Sequence, residues 1–501
     1  MRAKLIDIEQ GQNEVIINED DARRTNALVG DRLQLKCGNA SATAIVDHSK
    51  TFVKPGEIGL FKEVAEALQA GEGDEVEASP AMRPASLNYI RKKLDGGILS
   101  DEEINAIICD LMQQKLSGTE LASFVTAVYI KGLTTDETAS LTKAIIASGE
   151  TLTPPVRPAA SEHSIGGVAG GRSSMLVAPI MASLGVCFPK TASRAISSAC
   201  ATADAMEILA PVTLNVERIK QVLAQANACI VWGGGVNMAA ADDKLIQIRN
   251  PLRLDPQPLL VSSILAKKKA EGAEYVVLDI PTGRGAKVAT IEQARDLARA
   301  FELFGTALDL KIKVSISDGS EPLLKTLGPA MEARAIVDIL SSRGGNGDGA
   351  LLEKACQQAG ILLHMIRGIT REEGYNISRH QVENGRAWQK MREIIAAQGG
   401  DDNVTPQSIA VGDQRHTVFA ASDGRVAHVD NKSVSIVMRA MGAPKEKLAG
   451  IAIHVQKGQR IIRGEALYDL VASTREYLQE GIEVAKKNAV VELDRVVLDV
   501  V

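Results

Sequence analysis

Aromatic residues are scarce in this chain of 501 residues: they make up 3% of it and include two tryptophans. Proteins that hold single-stranded nucleic acid commonly stack its bases on aromatic side chains. The net charge of −5 also provides no excess of basic groups for a phosphate backbone. We therefore expect no nucleic-acid partner, and we expect a core built mainly of aliphatic side chains.

Paired cysteines and long apolar runs are missing as well. The six cysteines form no Cys-x-x-Cys pair, so neither a zinc site nor a disulfide framework is indicated; they are Cys37, Cys109, Cys187, Cys200, Cys229 and Cys356. The N-terminus has no apolar signal core, and no apolar run is long enough to span a bilayer. These features predict a cytoplasmic protein with reduced thiols, no bound metal and no membrane contact.

The composition that remains is that of an ordinary globular protein, 45% hydrophobic and 24% charged, with length for about three domains. Residues 1–84 alternate short apolar runs with turns, which predicts a small β-rich domain. From residue 85 the apolar period becomes helical, behind Ser100-x-x-Glu103 and Thr134-x-x-Glu137, which have the spacing of capping boxes. We predict an all-helical domain over residues 85–155, joined by residues of about 238–270 and ending in a proline-rich connector.

An α/β sheet domain is predicted over residues 156–237 and 271–400. Residues 228–232, 274–280 and 310–316 have the apolar character of buried strands, and helical patterns follow at 290–304 and 330–340. Residues 401–501 return to short strands and turns, which predicts a C-terminal α+β domain. The predicted fold class is therefore multidomain α/β, with β-rich, all-helical, α/β sheet and α+β domains in chain order.

Two segments of the predicted α/β domain have the composition of anion-binding loops. The first, residues 163–174, holds four glycines and ends in Arg172, Ser173 and Ser174 at the start of an apolar run. Small residues let backbone N–H groups converge on an anion, and a following helix N-terminus adds partial positive charge. The second, residues 193–198 with Thr202, offers a guanidinium and several hydroxyls, which suits a phosphate monoester. Either loop alone is equally well explained by turns and helix caps, but two together indicate chemistry on two phosphates.

Five strings, taken in order, carry a resemblance to a known family. They are His-Ser-Ile-Gly-Gly at 163–167, Ser-Arg-Ala-Ile-Ser-Ser at 193–198 with Thr-Ala-Asp-Ala-Met-Glu at 202–207, Ala-Ala-Asp-Asp-Lys at 240–244, Leu-Leu-Val-Ser-Ser-Ile-Leu-Ala-Lys-Lys at 259–268, and Leu-Asp-Ile-Pro-Thr-Gly-Arg-Gly-Ala-Lys at 278–287. Over nearly its whole length the chain resembles the thymidine and pyrimidine-nucleoside phosphorylase family, in the archaeal, nucleotide-using branch that an extra N-terminal domain marks.

The resemblance implies a pentosyltransferase of nucleotide degradation. Inorganic phosphate, a co-substrate, would displace the base of a nucleoside 5′-monophosphate and give free base and ribose 1,5-bisphosphate. AMP and also CMP and UMP are the implied substrates, and no cofactor is implied. The resemblance further implies that the helical and α/β domains close over the substrates, and that the chain forms a homodimer and then larger homo-oligomers.

The family motifs also assign roles to individual residues. They imply substrate contacts at Gly167, Ser193, Arg194, Ala195, Ile196, Ser197, Ser198, Thr202, Ser263 and Lys287. They make Asp255 the proton donor to the leaving base. Further contacts to phosphate, ribose or base are indicated at His163, Ser164, Arg172, Ser173 and Lys267.

The residues themselves support some of these roles. Breaking a glycosidic bond needs a proton source beside the departing base. Asp255 lies in a proline-rich loop, where we expect partial burial to help it keep a proton, although an Asp-Pro turn residue is the simpler interpretation without the resemblance. Ser263 and Lys267 are four apart on a predicted helix and share a face. Lys268 is expected to face solvent.

Two departures from the family pattern leave other functions open. Glu162 stands where the family usually has a lysine that contacts inorganic phosphate, and Ala192 stands where a serine is frequent. Arg172 is expected to compensate for the repulsion by Glu162. A thymidine or pyrimidine nucleoside phosphorylase remains an alternative. So does a non-catalytic AMP-binding sensor or assembly protein that lost its activity through Glu162.

Overall fold

The computed structural model describes residues 1–195, 198–252, 254–345 and 349–494. Its strands are β1 (Arg2–Ile6), β2 (Glu14–Asn18), β3 (Arg32–Cys37), β4 (Ala40–Ser49), β5 (Glu57–Phe61), β6 (Glu77–Pro80), β7 (Ala160–Ser164), β8 (Phe188–Ala192), β9 (Ala228–Trp232), β10 (Tyr275–Thr282), β11 (Lys311–Asp318), β12 (Thr326–Leu327), β13 (Gln414–Phe419), β14 (Gly424–Val429), β15 (Gly450–Ile453), β16 (Arg460–Ile461), β17 (Ala466–Ala472) and β18 (Val491–Asp494).

Helices occur throughout the chain. They are α1 (Glu19–Thr25), α2 (Lys62–Leu68), α3 (Ser86–Leu94), α4 (Asp101–Met112), α5 (Gly118–Lys131), α6 (Thr135–Ala147), α7 (Ser174–Ser183), α8 (Thr202–Met206), α9 (Val216–Ala226), α10 (Ala240–Leu252), α11 (Gln257–Ala270), α12 (Ile291–Thr306), α13 (Pro329–Ser341), α14 (Gly349–Arg367), α15 (Arg371–Glu383), α16 (Arg386–Gln398), α17 (Asn431–Ala440) and α18 (Arg475–Ala485). The multidomain α/β class is confirmed. In the described part of the chain, every helix is too short or too polar to cross a lipid bilayer.

The first compact unit consists of residues 1–149 and 239–266. Its N-terminal part is a six-stranded sheet in the order β1-β5-β2-β4-β3-β6, which confirms the predicted β-rich start. The predicted capping boxes form at α4 and α6: the Ser100 hydroxyl accepts from the Glu103 backbone, and the Glu103 carboxylate accepts from the Ser100 backbone. Each box supplies two backbone N–H groups with acceptors that the helix itself cannot provide.

Apolar side chains at helical spacing hold the helical part of this unit together. Ile104, Ile107 and Ile108 of α4 are buried in a cluster that also contains Leu245 of α10 and Leu259 of α11. Helices from two distant stretches of sequence therefore share one core.

The second unit, residues 150–238 and 267–501, contains the sheet that positions the anion loops. Strands β11, β10 and β7 pair in parallel, β8 and β9 pair in parallel, and a parallel bridge between Ala159 and Cys187 joins the two groups. Because all five strands are parallel, their carboxyl ends meet at one edge. Ligands of open parallel sheets bind at that edge.

The C-terminal residues of this unit, joined by β12 from residues 326–327, form two antiparallel sheets, β12-β15-β17-β13 and β16-β14-β18, together with α17 and α18. Mixed strands and helices here confirm the α+β prediction. The exact borders of the four predicted domains, and the assignment of residues 238–270 to the helical one, stay predictions.

Candidate active site

The first anion loop follows β7 and leads into α7. Three of its glycines, Gly166, Gly167 and Gly170, have φ of 83°, 95° and 69°, a region that side-chain-bearing residues rarely adopt. A β-carbon added at Gly167 would lie 2.9 Å from the backbone nitrogen of Lys287. The fold thus brings together Gly167 and Lys287, two predicted substrate contacts that are 120 residues apart in the numbering.

An asparagine at the start of α17 holds this loop in place. Asn431 Oδ1 accepts from the backbone of Ala169 at 2.9 Å, and its Nδ2 donates to the carbonyls of Gly319 and Ser320 at 3.1 and 3.2 Å. The single side chain therefore ties the glycine loop to the loop that follows β11. Sequence reasoning missed Asn431, because nothing in its neighbourhood signals a partner 262 positions away.

A cluster of cations surrounds His163 at the end of β7. The side chain is half-buried. Burial first, and then the charges of Lys190, Lys268, Lys267 and Lys287, hold the pKa of His163 well below its ordinary value. The imidazole is therefore neutral near pH 7. Lys190 lies beside Glu162 and Lys268 beside Glu271, so the potential that an anion such as phosphate would meet here depends on the balance of these charges.

Two of the predicted hydroxyl contacts bond to buried carboxylates in this structure. Ser164 Oγ donates to Asp279 Oδ2 at 2.8 Å, and Asp279 also pairs with Lys354 at 2.7 Å. Ser173 Oγ donates to Glu162 Oε1 at 3.2 Å. Contacts of Ser164 and Ser173 to substrate stay predictions.

Arg172 does not face an open anion site. Its Nε donates to Glu332 Oε2 at 2.6 Å and its Nη2 donates to the carbonyl of Cys200 at 2.6 Å, and the residue is buried. A buried guanidinium needs such partners, and Glu332 neutralises its charge. The expectation that Arg172 offsets the charge of Glu162 is therefore not supported.

The second anion loop follows β8 and ends at α8, whose first residue is Thr202. The buried carboxylate of Asp204 closes it, because one oxygen, Oδ2, accepts from the backbones of Ala195 and Ala201 at 2.9 Å each. Ser193 is exposed and Ser198 is half-buried at the two sides of the loop. Ile196 and Ser197, which were also predicted to contact substrate, lie outside the described residues.

Arg194, the cation of this loop, already has a carboxylate partner. Its two terminal nitrogens donate to Glu207 at 2.8 and 2.5 Å, and its guanidinium carbon lies 4.9 Å from the centre of the Trp232 ring. Lys447 also donates to Glu207 at 2.5 Å. Hydrogen bonding from Arg194 and then from Lys447 lowers the pKa of Glu207 to about 2. A phosphate bound here would share Arg194 with this carboxylate.

Ser263 and Asp255, two of the residues predicted to act on the base, lie in the first unit. Ser263 is buried on α11 and donates to Asp242 Oδ2 at 2.7 Å. Asp255 lies in the loop between α10 and α11, where its side chain is 45% exposed and pairs with Arg249 at 3.0 Å. The expected partial burial of Asp255 is wrong for this structure, because its loop carries the carboxylate on the surface of its own unit.

The prediction that Lys268 faces solvent is also wrong. Its side chain is 1% exposed and its Nζ donates to both oxygens of Glu271 at 2.7 and 2.8 Å. Glu271 also accepts from Ser161 of β7 and from the backbone of Thr191 of β8 at 2.7 and 2.8 Å. The last turn of α11 therefore packs against both strands that lead into the anion loops. Burial lowers the pKa of Lys268 to about 8. Lys267, the neighbouring predicted contact, is half-buried.

Comparison with known protein families matches both main parts of the chain. Residues 87–149 match the model of the glycosyl transferase family helical bundle domain, and residues 157–388 match that of the glycosyl transferase family α/β domain. Among solved structures, the anthranilate phosphoribosyltransferase of Thermus thermophilus covers 62% of this chain, and 98% of its own length is matched, with a TM-score of 0.51 at 19% identity. At that identity the likeness concerns the fold alone.

Curated relatives match over full length. The AMP phosphorylase of Pyrococcus furiosus is 40% identical over 502 residues, covering 100% of this chain and 99% of the relative. The AMP phosphorylase of Thermococcus kodakarensis is 40% identical over 500 residues, covering 99% of both. That of Methanosarcina acetivorans is 40% identical over 481 residues, covering 96% of this chain and 94% of the relative.

Proposed function

This chain belongs to the AMP phosphorylase family, and on that premise we propose that it catalyses the phosphorolysis of AMP. Inorganic phosphate attacks C1′ of the ribose while the bond from C1′ to the adenine nitrogen breaks. The products are adenine and ribose 1,5-bisphosphate, so the enzyme is a pentosyltransferase of AMP catabolism.

The observation that carries this function is the position of two anion loops at one sheet edge. The loops follow β7 and β8, which are joined by the parallel bridge of Ala159 and Cys187, so they begin side by side. AMP phosphorolysis brings two phosphates to one ribose, the attacking anion and the 5′-phosphate. Nucleoside phosphorolysis involves the attacking phosphate alone, so one of the two anion loops would have no phosphate to bind.

We assign the two phosphates to the two loops by their chemistry. In the second loop Asp204 ties the backbone of Ala195 to that of Ala201, and the sequence of the loop is rich in hydroxyls, which suits the 5′-phosphate monoester of AMP. The first loop has His163 and the nearby charges of Lys190 and Lys287, which suit a mobile inorganic phosphate anion. Lys287 lies beside Gly167 of this first loop.

The departing adenine collects negative charge as the glycosidic bond breaks, so a proton or hydrogen-bond donor beside it lowers the barrier. We propose Asp255 for this task, with Ser263 contacting the base. In this structure Asp255 is ion-paired with Arg249 at 3.0 Å, so the task requires that the pairing is broken and that the Asp255 carboxylate takes up a proton from water before it donates that proton to the base. The reaction needs no metal and no cofactor, and inorganic phosphate is its co-substrate.

The finer properties are proposals too. CMP and UMP are further substrates, because the groups that hold phosphate and ribose do not depend on the base. The enzyme works in the cytoplasm, and it forms a homodimer that assembles further.

Product analysis tests this function directly. Incubating the enzyme with AMP and inorganic phosphate and following the mixture by phosphorus NMR should show AMP replaced by a species with one phosphate on C1′ and one on C5′. Adenine should appear in equal amount, and chelation of metals should not change the rate. Formation of ribose 5-phosphate instead would mean hydrolysis, and cleavage of thymidine faster than AMP would favour a nucleoside phosphorylase.

A further inference from the structure

Glu162 lies directly before His163 in β7, next to the loop that we assign to inorganic phosphate, and its side chain is completely buried. Its Oε1 accepts from Ser173 Oγ at 3.2 Å, and its Oε2 accepts from Ser174 Oγ. Ser173 precedes α7 and Ser174 is the first residue of that helix. The carboxylate therefore occupies the N-terminus of α7, where the helix dipole stabilises a negative charge.

A lysine on the neighbouring strand accompanies this carboxylate. Lys190 of β8 donates from Nζ to the carbonyl oxygen of Glu162 at 2.7 Å, and its Nζ lies 3.8 Å from Glu162 Oε2. The Lys190 side chain is 5% exposed, so the ammonium is fixed between the two strands. Its charge acts on the neutral imidazole of His163, which this cluster of cations surrounds.

We propose that Glu162 and Lys190 form a buried pair that sets the affinity for inorganic phosphate, an inference that rests on the proposed function of the first loop. The Glu162 carboxylate occupies the N-terminus of α7, where an external anion would otherwise bind, and it fixes the ammonium group of Lys190 beside the first loop. Lys190 supplies the positive charge that offsets Glu162. Neither side chain touches the phosphate, so both are positioning residues that act through the electrostatic potential of the loop.

The two members of the pair have opposite effects on an anion. With Glu162 neutralised, the charge of Lys190 is unopposed and phosphate binds more tightly. With Lys190 neutralised, the charge of Glu162 is unopposed and phosphate binds more weakly. A merely structural pair behaves differently, because removing either partner then harms folding and activity in the same direction.

Steady-state kinetics on Glu162→Gln, Lys190→Met and the double variant tests the pair. We expect Glu162→Gln to lower the KM for phosphate and Lys190→Met to raise it, each roughly three- to tenfold, as one unit charge does through a partly screened medium. The double variant should return close to the wild type. The KM for AMP should change by less than about twofold in Glu162→Gln, since the second loop is untouched.

A matched control is available in the helical part of the chain. Lys93 donates to Glu137 at 2.7 Å, and both residues are buried, so Lys93→Met removes an equally buried lysine far from the anion loops in sequence. It should lower the melting temperature without changing the KM for phosphate. If Lys190→Met does not fold because a lone carboxylate remains buried, Glu162→Gln and the double variant still give the sign of the effect.

The inference would be overturned if the KM for phosphate changed in the same direction in Glu162→Gln and Lys190→Met. It would also be overturned if both variants folded and their KM for phosphate differed from the wild type by less than twofold. Failure of the proposed function itself has another signature, the absence of adenine release by the wild type. In that case phosphate binding is measured as the increase in melting temperature on adding inorganic phosphate. Glu162→Gln should need a lower phosphate concentration than the wild type for the same increase. An equal or higher phosphate concentration would refute the proposed role of the pair.

Discussion

Replacing Asp204 with alanine should open the second anion loop and weaken the binding of AMP. One carboxylate oxygen accepts both the Ala195 and the Ala201 backbone N–H at 2.9 Å, and the residue is buried. In Asp204→Ala both N–H groups lose their acceptor. Ala195 and Ala201 are then no longer tied to one acceptor, and AMP must order these two backbone positions on binding.

The size of the effect follows from these two bonds. A hydrogen bond to a charged group stabilises a protein by about 1.5–3 kcal/mol. Without Asp204 the two N–H groups bond to water in the open loop, which recovers part of this stabilisation. We therefore expect a cost of roughly 2–3 kcal/mol when AMP binds, which corresponds to a KM for AMP raised about 30- to 150-fold. Asp204→Asn is the matched control. Its single amide oxygen can replace Oδ2 for both donors, and only the charge facing Arg194 at 3.7 Å is lost.

The assay is phosphate-dependent release of adenine over a range of AMP concentrations, with melting temperatures for each variant. We expect Asp204→Asn to stay within about threefold of the wild-type KM for AMP, because most of the loop geometry survives. A folded Asp204→Ala protein with a KM for AMP within twofold of the wild type would refute the reasoning that this carboxylate shapes a nucleotide site.

Two further predictions concern glycine geometry and acid stability. Gly167→Ala should reduce kcat/KM at least tenfold, because its β-carbon would lie 2.9 Å from the backbone nitrogen of Lys287. Gly166 has a similar φ but open space around it, so Gly166→Ala should destabilise the loop by only about 1 kcal/mol of backbone strain. Equal values of kcat/KM for the two variants would contradict this prediction. Glu207 has its pKa lowered from 4.5 to about 2, so it stabilises the fold above pH 4.5 and loses that effect as pH falls toward 2. Glu207→Gln should therefore lower the free energy of unfolding by about 1–2 kcal/mol near pH 7, allowing for the partial exposure of Glu207. Denaturant unfolding of the two proteins should show this difference shrinking as the pH falls from 4.5 toward 2.

Local sequence signals predicted the elements of the fold well. The apolar run at residues 228–232 is β9, and the capping boxes at Ser100 and Thr134 start α4 and α6. These features depend on a few neighbouring residues, so they can be read without knowing the fold. The family motifs named Gly167 and Lys287, and the structure places them in contact.

Partners distant in sequence could not be predicted in the same way. Arg172 pairs with Glu332, 160 residues away, and no local pattern distinguishes it from a free guanidinium. Lys268 did have a visible signal in Glu271 three residues later, but burial of that pair depends on packing against β7 and β8. The exposure of Asp255 likewise depends on where its loop lies on the folded unit.

The most direct test of AMP phosphorolysis is adenine release from AMP, with and without inorganic phosphate, by the wild type and by Asp255→Asn, beside adenosine and thymidine. We predict release that requires phosphate, is confined to the nucleotide, and falls at least about 100-fold in Asp255→Asn, as for loss of a general acid. Tight AMP binding without phosphate-dependent release, or equal cleavage of adenosine, would contradict the proposed function.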